Sequence, residues 1–214
     1  MFFQGRVELD KYIKKPLGFL ICGGLSRRMG SDKALKKIGG KSLTELVISR
    51  STIQVDDLLI NSNEPKTFEK FRIHTVISDC IPGNLGPLVG ILTGLRWAKI
   101  NSNHSWVCFF PIDCPFFPKD LVKTFCKQIV DEDIIMAASG KRAHPVFSMW
   151  NIKLEKSLER FLLGGGRKID LFTKKIKTRL VNFPFIGYDP FFNVNNKDDL
   201  AEANKLFRIL KKEN

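Results

Sequence analysis

No apolar run in this 214-residue sequence approaches the roughly 18 residues that a bilayer-spanning helix needs. The opening stretch, MFFQGRVELDKYIKKP, mixes charges into its apolar residues and lacks the unbroken apolar stretch of a secretory signal. The expected setting is therefore the cytoplasm, with no membrane partner. Paired cysteines are also missing. Cys22, Cys80, Cys108, Cys114 and Cys126 make an odd count with no CxxC spacing, which argues against a disulfide framework and against a zinc site. No repeats, low-complexity stretch or linker occur. One domain over residues 17–214 is expected, with residues 1–16 as an N-terminal extension.

Acidic residues are in short supply, 22 against 35 lysines and arginines, for a net charge of +13. Such an excess suits a polyanionic partner: nucleic acid, an acidic surface or a small phosphorylated substrate. Much of it is scattered lysine, as on ordinary solvated faces. A basic stripe with interleaved aromatics is absent, and most of the 18 phenylalanines fall in apolar runs that read as core. Nucleic acid is the weaker expectation.

Two nucleotide fingerprints are absent as well. LKKIGGKS, residues 35–42, ends like a P-loop, but Leu35 stands where the first glycine is required. GGLSRRMG fails GxGxxG because Leu25 takes the second glycine's place. A P-loop NTPase and a dinucleotide fingerprint are both set aside.

What is present is alternation. LGFLIC (17–22) reads as a buried strand and SLTELVISRS (42–51) as a helix capped by Ser42 or Thr44. DDLLINSN (56–63) and RIHTVIS (72–78) read as strands. Leu88, Ile91, Leu92 and Leu95 repeat at helical spacing. SWVCFFPID (105–113), DIIMAAS (133–139) and HPVFSMW (144–150) are strands, with helices over 119–129, around Leu158 and after residue 195. Strands alternating with helices imply an α/β fold: three layers, α/β/α, around a mostly parallel sheet.

Ligands of such a sheet bind beyond the carboxyl ends of its strands. There lies GFLICGGLSRRMGSDKAL, residues 18–35. Gly23 and Gly24 let backbone approach a ligand, successive N–H groups can cup an anion, and Arg27, Arg28 and Lys33 add full charges. Two unit charges about 4 Å apart attract by about 1 kcal/mol in water and about 4 kcal/mol at an effective dielectric near 20. The loop therefore grips phosphates best where water is partly excluded. A basic turn between strand and helix remains the competing reading. Asp113 ends an apolar strand in FFPIDCP, as a Mg²⁺ ligand or as a turn and cap residue.

LICGGLSRRMGSDKAL resembles the LAGGxSxRMGxDK signature of the nucleotidyltransferase family with a Rossmann-like fold. With LLINSNE, VISDCIPGNLGPLVGILTGL, CFFPIDCPFFPKDL, RAHPVFSMW and FFNVNNKDDL in the same order, the chain resembles in particular the MobA-like molybdenum cofactor guanylyltransferases, which attach GMP to molybdopterin. The resemblance spans residues 17–203. It implies GTP and molybdopterin as substrates, Mg²⁺ as cofactor, and transient contact with other cofactor-biosynthesis or molybdoenzyme-maturation proteins. By position it implies that Ile21, Cys22, Gly23 and Gly24 run along the nucleotide. It places Lys33 and Arg28 at the phosphates, Asn61 and Asp79 at the nucleoside, and Asp113 on Mg²⁺. Asn193 and Asn195 match a late asparagine motif near the site. Cys22 departs from the family's usual alanine. His144, in the HP dipeptide, reads as a packed or surface histidine. A CTP-dependent or sugar-phosphate nucleotidyltransferase, and a nucleotide-binding regulator without turnover, remain alternatives.

Overall fold

In the computed structural model, which describes residues 14–22, 36–71, 73–83, 85–185 and 187–212, strand β1 (Leu17–Ile21) is buried along its whole length. Leu17, Phe19 and Ile21 face one core and Leu20 the other. That two-sided burial is what a central strand covered on both faces requires. Gly18 faces Val55 and Leu58 so closely that a Cβ there would lie 2.7 Å from Val55 Cγ2. A hairpin follows, β2 (Lys37–Ile38) and β3 (Lys41–Ser42), turning through Gly39 and Gly40 at positive φ. It carries the lysine-rich segment that imitates a P-loop.

Helix α1 (Leu43–Thr52) starts at a capping box: Ser42 Oγ accepts from the Glu45 N–H, and the Glu45 carboxylate accepts from the Ser42 N–H. Strand β4 (Leu58–Asn61) comes next, then a 3₁₀ stretch over Pro65–Phe71 and the short β5 (Val76–Ile77). Helix α2 (Pro87–Asn101) opens with proline at its first position and packs Leu88, Ile91, Leu92 and Leu95 on the sheet. Strand β6 (Trp106–Pro111) and helix α3 (Leu121–Cys126) are followed by β7 (Ile134–Ser139) and β8 (Arg142–Asn151). The remainder is α4 (Glu155–Leu163), α5 (Ile169–Thr173), β9 (Thr178–Asn182) and α6 (Lys197–Lys212).

The seven-stranded sheet runs β5-β4-β1-β6-β8-β7-β9. β5, β4, β1 and β6 are mutually parallel; β8 lies antiparallel between β6 and β7, and β9 is parallel to β7. The sheet is thus mostly parallel, as expected, with one reversed strand. One core lies between the sheet and α1 and α3 (Val47, Leu121, Val122, Phe125), the other between the sheet and α2, α4 and α5 (Ile91, Leu95, Leu158, Phe172). A third cluster of Ile38, Leu43, Phe116, Val194 and Ala203 seats α6 against the hairpin. No disulfide joins the five cysteines. No helix among the described residues is long and apolar enough to cross a membrane.

Candidate active site

The chain passes from one flank of β1 to the other between β5 and β6. Adjacent carboxyl ends at such a switch leave a crevice. The register sharpens this: Ile77, Asn61, Ile21 and Pro111 form one row across β5, β4, β1 and β6. Asp79, Cys22 and Asp113 follow within two residues of that row, so residues far apart in sequence line one rim. Backbone bonds extend the row past the strands: Cys22 N–H donates to Asn61 O (3.1 Å), Ile112 N–H to Ile21 O (3.2 Å) and Ser62 N–H to Ile77 O (3.0 Å).

On the β4 side Asn61 is buried, its amide donating to Ile77 O (3.1 Å) and to Asp79 Oδ1 (2.9 Å). Asn63 donates to Asp79 Oδ2 (2.8 Å) and accepts from the Asp79 N–H (2.9 Å). The Asp79 carboxylate is therefore held from both oxygens, an arrangement a turn-forming aspartate does not need. Space for Asn61 comes from Gly90 on α2, where a Cβ would lie 2.5 Å from Asn61 Oδ1.

On the β6 side Asp113 is half-buried and lines a cleft of about 230 Å³ with Ile21, Cys114, Arg142, His144 and Asn193. The Asp113 carbonyl accepts from the Val194 N–H (2.8 Å), and Cys114 Sγ bonds the Asn193 carboxamide oxygen. The late FFNVN segment is thereby tied to the loop that carries Asp113. Asn193 joins the cleft, while Asn195 is exposed, its N–H bonded to Asp199 at the start of α6. Among the described residues no group of three or more His, Cys, Asp and Glu could hold a metal. Gly23, Gly24, Arg27, Arg28 and Lys33 lie outside the described residues. The loop's anchor, Cys22, is on the rim, half-buried with its thiol toward Leu20 O.

Sequence reasoning set His144 aside, yet it lines the same cleft as Asp113. The cause is an irregularity in β8. Ser148 pairs with Met136 and His144 with Ala137, so residues 145–147 are extra on β8. Bulges of this kind re-aim side chains beside active sites. Ser148 Oγ latches this one by donating to Pro145 O (2.7 Å) and accepting from Trp150 Nε1–H (2.7 Å).

Residues 18–176 match the family described as MobA-like NTP transferase domain. The chain is 42% identical over 193 residues to a molybdenum cofactor guanylyltransferase of Rhodopseudomonas palustris, covering 87% of this chain and 91% of that protein. It is 38% identical over 183 residues to one of Yersinia pseudotuberculosis, covering 85% and 91%. Among solved structures it is similar to molybdopterin-guanine dinucleotide biosynthesis protein A from Archaeoglobus fulgidus, with a TM-score of 0.71, 24% identity and coverage of 90% and 98%. The fold is also that of a 4-diphosphocytidyl-2C-methyl-D-erythritol synthase from Anaerococcus prevotii, with a TM-score of 0.71, 11% identity and coverage of 95% and 99%.

Proposed function

The chain belongs to the MobA-like NTP transferase family, and from that premise we propose that it transfers GMP from GTP to the terminal phosphate of molybdopterin. Pyrophosphate leaves, and the guanine dinucleotide form of the molybdenum cofactor is made. The observation that carries this reading is the 42% identity to a molybdenum cofactor guanylyltransferase over 87% of the chain. The reading brings with it a cytoplasmic setting.

In the reaction an anionic phosphate oxygen of the acceptor attacks the α-phosphorus of GTP. One P–O bond forms there while the bond to the β-phosphate oxygen breaks, and pyrophosphate takes the electron pair. No strong base is needed, because the nucleophile is already an anion. The protein's work is to align two polyanions and to offset charge on the leaving group. Arg28 and Lys33 take the phosphates. Ile21, Cys22, Gly23 and Gly24 run along the nucleotide, and Asn61 and Asp79 take the nucleoside. The β4 side of the rim, where Asn61 and Asp79 interlock, is thus the nucleotide half, and the β8 side the acceptor half. Asp113 stands at their junction.

One half-buried carboxylate, with no ligand cluster around it among the described residues, fits Mg²⁺, which takes one or two carboxylates and completes its shell with phosphate and water oxygens. Asp113 would hold it. Bound there, Mg²⁺ supplies Lewis-acid neutralisation of phosphate charge.

The test mixes protein, GTP, Mg²⁺ and molybdopterin and reads pyrophosphate and the guanine dinucleotide product, with CTP and ATP in parallel. Product from GTP well ahead of the other two is expected. Equal turnover of CTP would remove the guanine assignment, and no pyrophosphate from any nucleotide would remove nucleotidyl transfer. Asp113→Ala should lose more than about 100-fold in rate, the scale of deleting one preorganised electrostatic group, while its melting curve stays near that of the parent. Full activity in that variant would reject the metal role.

A further inference from the structure

His144 is 7% exposed, and its imidazole lies against Phe191 with ring centroids 4.5 Å apart and the planes tilted by 30°. Its Nε2 lies 2.7 Å from Ser139 Oγ, and Ser139 Oγ donates to Asp189 Oδ1 at 3.0 Å. A serine has one proton to give and a carboxylate only accepts. With that proton committed to Asp189, Ser139 must accept from His144, which fixes the Nε2–H tautomer. The other nitrogen, Nδ1, is left as a lone pair. It has no partner among the described residues and is not wholly shielded. His144 is one of the residues lining the cleft of Asp113.

The neighbours say what such an acceptor meets. Pro87, Pro111, Pro145, Val146 and Phe147 give this part of the cleft apolar walls. Burial, with some help from Arg142, holds the imidazole below its usual pKa against the opposing pull of Asp189, so it is uncharged near neutrality. Beside these apolar walls an uncharged acceptor nitrogen suits a flat ring with an N–H donor; the imidazole itself gives an anionic phosphate no attraction, and the charge in this lining is carried by Arg142 and Asp113. We propose that His144 Nδ1 recognises a ring N–H of the acceptor substrate's heterocycle, with Ser139 and Asp189 as positioning residues that hold the imidazole in the required tautomer. The assignment rests on the proposed transfer to a pterin acceptor. It concerns the β8 side of the cleft, the side that the proposed function gives to the acceptor.

The experiment separates KM for the acceptor from GTP affinity, using molybdopterin, GTP and Mg²⁺ with the full chain. His144→Phe keeps an aromatic ring against Phe191 and removes the acceptor nitrogen. It should raise acceptor KM about 10-fold, the scale of one substrate donor left unpaired, with kcat and the GTP dissociation constant within about twofold. His144→Asn, which returns an acceptor oxygen near the Nδ1 position, should recover most of that loss. Ser139→Ala leaves His144 in place and tests the same idea should His144→Phe fold poorly. By lowering the fraction of correctly oriented imidazole it should raise acceptor KM about threefold and leave GTP binding alone. An unchanged acceptor KM in both His144→Phe and Ser139→Ala, or parallel loss of GTP affinity, overturns the assignment. A parent protein that binds GTP but makes no product with molybdopterin overturns the transfer reading itself, and that is seen before any variant is made.

Discussion

Glu132 shows what one carboxylate does at the edge of the sheet. Its Oε2 accepts from the N–H groups of Val130 (2.8 Å) and Asp131 (3.2 Å), and its Oε1 pairs with Arg179 on β9. The Val130 amide first, then the guanidinium, draw its pKa down to about 2 from 4.5. A carboxyl depressed in the folded state adds stability above its unfolded pKa, and that stability is lost as the pH falls through the folded value. Glu132→Gln should therefore be less stable than the parent at pH 7. In urea titrations the difference should shrink between about pH 4.5 and about pH 2. A constant difference across that window would count against the assignment. Asp113 is legible at this scale because an acid ends an apolar run. His144 is not, since its meaning depends on Ser139 and on Asp189, 50 residues beyond that serine, and no local pattern announces such a meeting.

Among the elements, β8 matters most for the cleft. Its latch makes a prediction: Ser148→Ala strands the buried Trp150 N–H and frees Pro145 O. A cost of about 1–3 kcal/mol is expected from the unpaired donor, measured by chemical denaturation, with a rise in acceptor KM as the bulge relaxes. Wild-type stability would mean that the bulge holds without its latch. β1, β4, β6, β7 and β8 are readable from apolar runs, and α1, α2 and α6 from helical spacing, whereas the two-residue strands β2 and β3 carry no such run. The reversed direction of β8 went unread although its signal is present: Gly140-Lys141 is a two-residue loop between strands, with Gly140 at φ +54°, as tight hairpins require. β9 escapes because its side chains, apart from Val181, are exposed or half-exposed, so no apolar run marks it. β5 is only Val76–Ile77, shorter than the alternating stretch 72–78 suggests.

Over the whole molecule the net charge of +13 bears on rate rather than on fold. Two anionic substrates approaching a cationic protein are drawn in across a Debye length of about 10 Å at 0.1 M salt and about 3 Å at 1 M. kcat/KM for GTP should accordingly fall several-fold from low to high ionic strength in stopped-flow or steady-state assays with Mg²⁺ held saturating. A flat salt profile would show that the charge is spread too evenly to steer either substrate. The overall architecture was open to sequence reading because alternation of strands and helices leaves few topologies. The place of β8 between β6 and β7 was not, because strand order arises only when distant segments pair.

The bond from the Val194 amide to the Asp113 carbonyl crosses some eighty residues of chain. During synthesis the acid at the end of β6 emerges long before the segment that fastens it. A nascent chain halted between β9 and Asn193 would thus carry the sheet and the acid but not the segment that fastens it, and its cleft would stay unfinished until residues 193 and 194 followed.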